Sequence, residues 1–263
     1  MKPILPTLHL RPASGRRDRG FTLIELLVVI GIIIIVLTIA LPNLKGFREG
    51  HEMDSAARQL VADLSLARAR AINNRTTVAV VFIPPEILSL DLAPYAAFPE
   101  AQAQIRQLQA GIFTQYALFS TRRVGDQPGC STPRYQTRWV SLPDKTFIAQ
   151  QKFPPQTMPD MPPFATTNLF PFPSATSLKQ TLPYVAFNFE GRPCTFDGFP
   201  LSPPQNVRIP LARGGILYTR NADGAVTDFT AQETPAFNSV SNYHHVVIDW
   251  LTGKAKLERQ EVQ

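Results

Sequence analysis

Residues 21–41, FTLIELLVVIGIIIIVLTIAL, form an apolar run broken by one carboxylate, Glu25, and closed by Pro42. At about 1.5 Å rise per residue, a helix of that length spans roughly 30 Å, the hydrocarbon thickness of a bilayer. The run is therefore expected to be a helix that crosses a membrane. A carboxylate inside such a span costs at least about 2.5 kcal/mol. Glu25 must pair with a cation, protonate, or snorkel to the membrane edge.

The segment before the run carries Lys2, Arg11, Arg16, Arg17 and Arg19 against Asp18. Cations on that side hold residues 1–20 in the cytoplasm and send the remainder across. A cleaved secretory signal is the alternative, but it needs a shorter apolar core and a small-residue site after it. Leu41-Pro42-Asn43-Leu44 follows instead, so the apolar segment should stay attached. Of the formal charge of +6, the first 20 residues hold +4, leaving +2 for the rest. The basicity is thus an amino-terminal feature and gives little support to nucleic-acid binding.

Gly20 ahead of Phe21, Glu25 five residues after the glycine, Pro42 at the end of the run and a basic leader together resemble the type IV prepilin family, which includes type IV pilins and the pseudopilins of type II secretion. The resemblance implies cleavage between Gly20 and Phe21 by an aspartyl prepilin peptidase and N-methylation of the new Phe21 amine. It implies assembly through Glu25 and Pro42 with other pseudopilins or pilins at an inner-membrane assembly platform. The protein would sit in the bacterial inner membrane as a single-pass chain, N-terminus cytoplasmic and C-terminal domain periplasmic, and enter a pseudopilus after assembly.

Beyond Pro42 the helical pattern resumes. Leu44, Phe47, Met53, Ala56, Ala57, Leu60, Leu64, Ala67 and Ala71 fall mostly three or four apart, a narrow apolar stripe ending at Asn73-Asn74. Gly46 and Gly50 suit a bend or melted turn just after the membrane. Residues 53–82 resemble the segment leading into the first strand of GspH/FimT-type minor pseudopilins and minor pilins. From Thr76 the period changes to about two, and strands are expected at 77–83, 112–119, 137–142, 146–149, 184–189, 207–211, 216–219, 245–250 and 255–258. A short helix is expected over 99–110.

Twenty of the 25 prolines lie between Pro84 and Pro210, a density that central strands do not tolerate. Residues 84–111 and 150–183 are read as insertions, with Phe153, Phe164, Phe170 and Phe172 either anchoring the second, the favoured reading, or forming an exposed binding patch on it. The fold class is α+β: a long N-terminal helix, transmembrane then amphipathic, packed on an antiparallel β-sandwich-like domain with proline-rich insertions. The organisation is leader 1–20, helix 21–74, and periplasmic β-rich domain 75–263.

No catalytic constellation stands out, whether a nucleophile elbow, a phosphate-cradling loop or metal-spaced histidines. His244-His245 would point to opposite faces of a strand, so neither a metal nor any other cofactor is expected. Asn221-Ala222-Asp223-Gly224 reads as a turn rather than a calcium loop. Cys130 and Cys194 permit one disulfide in an exported domain without requiring it. Arg122 and Arg123, with the arginines of the helix, are the candidates for binding DNA, though a solvated face is the commoner use of such residues. The reading is a non-enzymatic minor pseudopilin of type II secretion that supports protein secretion. A minor type IV pilin concerned with pilus assembly or DNA uptake is the alternative, and a tethered exported enzyme a distant third.

Overall fold

The computed structural model describes residues 22–123, 125–127, 130–155, 161–222, 224–241 and 244–259, apart from the side chains of residues 39–51. Two compact units, Met1–Arg48 and Glu49–Gln263, are taken separately below.

The first helix, α1, covers Leu23–Asn74, and its backbone stays helical at Pro42, Gly46 and Gly50. The melted turn expected at those glycines is absent. In the second unit the anticipated stripe is the buried one: Met53, Ala56, Ala57, Leu60, Leu64, Ala67 and Ala71 are all in the core. Three- and four-residue spacing puts these side chains on one helical face, and the alanines allow close approach of whatever packs there. Helix α1 stops at the two asparagines, where Arg75 turns left-handed and the amides of Arg75 and Thr76 bond back to the carbonyls of Ile72 and Ala71.

The strands are β1 (Val78–Phe82), β2 (Gln115–Ser120), β3 (Arg134–Tyr135), β4 (Val140–Ser141), β5 (Thr146–Ile148), β6 (Leu169–Pro171), β7 (Lys179–Thr181), β8 (Tyr184–Phe187), β9 (Pro193–Cys194), β10 (Val207–Arg220), β11 (Val226–Glu233), β12 (His244–Ile248) and β13 (Ala255–Arg259). Helices α2 (Pro99–Gln109) and α3 (Asn238–Ser241) interrupt them. One sheet has the order β3-β2-β1-β8-β9, with β4 also on β2. The other has the order β11-β10-β12-β13, with β5 also on β10, and β6-β7 form a separate hairpin. Every one of these pairings is antiparallel. Strand β1 is buried along its whole length, which its unbroken VAVVF run requires.

Residues 207–211 and 216–219, expected as two strands, form the single strand β10. Its first half pairs with β12 and β5, its second with β11. Gly214 permits the join: its φ is +152, and a Cβ there would overlap the carbonyl oxygen of Gln232. The proline-rich stretch is pinned by its phenylalanines, as anticipated. Phe164 stacks on Phe82 with centroids 4.4 Å apart, Phe153 meets Phe113 edge-on at 4.8 Å, Phe170 meets Phe119 at 5.4 Å and Phe172 meets Trp139 at 5.6 Å. All four are buried. Core formation thus uses a segment that contributes no strand to the two larger sheets.

Candidate assembly site

Thr22 precedes the first residue of α1, and its Oγ1 accepts the backbone N–H of Glu25 at 3.3 Å. This is a side-chain N-cap, and Thr22-x-x-Glu25 has capping-box spacing. Glu25 therefore lies in the first turn, where the aligned peptide dipoles favour a carboxylate. The spacing of Thr22 to Glu25 carries the signal for this cap, although the adjoining apolar run is the stronger local pattern.

From Leu23 to Thr38 the apolar side chains are mostly exposed, and they cover the whole circumference: Leu23 is 82% exposed, Ile24 66%, Leu27 60% and Ile35 61%. A helix apolar on all sides is stable only when something covers it, either lipid or other protein. Thr38 does not interrupt this surface, because its hydroxyl bonds the Ile35 carbonyl at 2.7 Å. No helix among the described residues is long and apolar enough to cross a membrane by itself. Side-chain description of this stretch ends at Thr38, short of the expected terminus at Leu41. Gly20 and Phe21 lie outside the described residues, as does the side chain of Pro42.

The second half of α1 is fastened to its own unit by polar ties. Tyr116 Oη donates to Asp63 Oδ2 at 2.6 Å and accepts from Gln59 Nε2 at 3.1 Å. Burial, reinforced by the Asp63 carboxylate, holds the Tyr116 phenol well above its ordinary range. Arg68 Nε donates to the carbonyls of Gly191 and Thr252, and Arg70 Nη1 to that of Gln136. Asp54 pairs with Arg259 at 2.7 Å and lies 3.7 Å from His244 Nε2. Two of the helix arginines are thus committed to carbonyls rather than presented to a polyanion.

Arg122 is engaged as well. Its Nη2 donates to the carbonyls of Asp126 and Gln127 in its own loop, while the Arg123 backbone N–H bonds the Asp126 carboxylate. That loop also carries Cys130. The disulfide is absent: Cys130 is an exposed free thiol and Cys194 a buried one in β9, where burial pushes its thiol up to about 12. His245 packs inward with its Nε2 3.2 Å from the Ser239 carbonyl, and His244 faces Asp54. Asn221 closes its turn by accepting the Ala225 amide on Oδ1, and Asp223 lies outside the described residues.

Residues 15–41 match the family model described as a prokaryotic N-terminal methylation motif. The chain is also similar to the type II secretion system core protein G of Pectobacterium carotovorum subsp. carotovorum, with 38% identity over 63 residues. That alignment covers 24% of this chain and 40% of the relative, so the chain spans about two fifths of the length of the curated relative it matches. No solved structure matches the chain. The methylation motif and this similarity support a protein of the type IV pilin and pseudopilin kind.

Proposed function

We propose that the protein is a non-enzymatic minor pseudopilin: a structural subunit cut between Gly20 and Phe21, methylated on Phe21, anchored in the bacterial inner membrane by α1, and built into a type II secretion pseudopilus. The observation that carries this reading is the all-round apolar surface of Leu23–Thr38 with one carboxylate, Glu25, in its first turn, inside the matched methylation motif. Such a helix needs a hydrophobic cover, and such a carboxylate needs a cation. A bilayer holding neighbouring subunits supplies both, the cation being the freed amine of a neighbour's Phe21. An unpaired member of that pair would be a buried charge costing several kcal/mol.

Similarity to a type II secretion core protein supports the secretion machine over a pilus. Arg122, tied to its own loop, lends the DNA-binding alternative no support. The test is co-assembly. Glu25→Ala and Glu25→Gln should insert in the membrane as the wild type does but should lose cross-linking to neighbouring pseudopilins by at least about tenfold, the effect of about 1.4 kcal/mol. Normal incorporation of Glu25→Ala would remove the charge-pair reading.

A further inference from the structure

Lys152 is the charged side chain that the assembly reading leaves unused, and it is among the most buried in the head, 2% exposed. Its Nζ donates to the Pro162 carbonyl at 2.6 Å and lies 5.0 Å from the centre of the Phe164 ring. An ammonium has three protons to donate, and the carbonyl takes one. Among the described residues Lys152 makes no ion pair, and burial alone brings its ammonium down to about 7. Burying an amine this deeply without a counter-ion is expensive, and a strongly perturbed group beside a cavity is a candidate for a binding role.

Beside Lys152 is a cavity of about 200 Å³. Its walls include Phe164, Ala186, Cys194, Leu201 and Val207, and no aspartate or glutamate among the described residues lines it. Ser202 and Asn206, both exposed, also line it. An apolar cavity of about 150 Å³ accommodates benzene. The space here suits one ring, or a hydrocarbon chain of similar volume, carrying a small polar group. We infer that this cavity is a binding site for a small monocarboxylate, whose carboxylate meets the Lys152 ammonium while its apolar body lies against Phe164, Leu201 and Val207. The carboxylate would fill the spare donor positions of Lys152 and supply a counter-charge. The Cys194 thiol, held protonated by its burial, adds no competing charge.

The probe is benzoate, titrated into the full chain in nonionic micelles, with lysine labelled with ¹³C at Cε. Saturable binding should raise the titration midpoint of the Lys152 resonance by at least about one pH unit, the signature of a tenfold preference for the ammonium form. Benzamide, of the same shape but uncharged, should bind at least about tenfold more weakly, and Lys152→Met should weaken benzoate binding by a similar factor. The site is refuted if benzoate leaves the Lys152 resonance unmoved, if benzamide binds as well as benzoate, or if Lys152→Met binds benzoate as tightly as the wild type. The resonance and the benzamide comparison use the wild-type chain, so they decide the matter even if the variant fails to fold.

Discussion

Replacing Lys152 with methionine should make the head more stable at neutral pH and slightly less stable in strong alkali. With no ligand present, the native ammonium titrates at about 7, against 10.5 ordinarily. Between those values the unfolded chain binds a proton that the native chain has released, so stability rises with pH by about 1.4 kcal/mol per unit. Above 10.5 neither state is charged and the penalty vanishes; below 7 both are charged and it levels off. At pH 7 the buried amine therefore costs roughly 4 kcal/mol. Methionine abolishes that cost and forfeits the bond to the Pro162 carbonyl, about 1 kcal/mol. The variant should be more stable by about 3 kcal/mol at pH 7, with the two stability curves crossing near pH 10. Denaturant unfolding of the full chain in nonionic micelles, followed by the fluorescence of Trp139 and Trp250, measures both curves. A wild-type-minus-variant difference that does not change between pH 7 and pH 10 would refute the reasoning.

Two further perturbations probe how α1 is held by its own unit. Tyr116→Phe removes the donor to Asp63 and should cost about 1.5–3 kcal/mol, the range for a hydrogen bond to a charged group. In a double-mutant cycle with Asp63→Asn the two losses should be well short of additive, and simple additivity would show the pair to be uncoupled. Gly253→Ala should destabilise by more than about 2 kcal/mol, because φ is +64 and a Cβ would overlap the Gly191 carbonyl oxygen that Arg68 also uses. An unchanged midpoint in the same unfolding assay would contradict that packing. His245 adds a pH dependence of opposite range to that of Lys152: burial lowers its imidazole, so its stabilisation is complete above about pH 6.5 and is lost as the pH falls through the native value. Replacing His245 with glutamine should flatten the acid limb of the stability curve.

What could be read in the sequence followed from how far each signal lies along the chain. The stripe from Met53 to Ala71 was legible because helical burial depends on neighbours three and four residues away, and the buried face is the anticipated one. Aromatic anchors in the proline-rich segment were legible for a similar reason, since a phenylalanine among prolines has little to do except pack. Strand β10 was split in two because Arg213-Gly214-Gly215 looks like a break, and only the approach of the Gln232 carbonyl from β11 shows why glycine is there. Strand β11 was missed altogether. Its sequence, VTDFTAQE, forms an edge with many exposed polar residues, and the apolar alternation that marks a half-buried strand is weak in it. The arginines were the least legible, because a carbonyl far away in sequence, such as that of Gly191 or Thr252 for Arg68, decides whether a guanidinium is free. Lys152 gave no local sign at all, since its burial comes from the Phe164 and Pro162 segment folding back over it.

The central claim is that residues 1–20 are an address removed from a subunit whose new amine takes part in assembly, and mass spectrometry of the mature N-terminus tests it most directly. Membranes from cells containing the prepilin peptidase should yield a chain that begins at Phe21, carries one added methyl on its α-amine and retains the apolar stretch through Leu41. A chain that still begins at Met1 in those cells, or one cut after the apolar stretch, would contradict the account.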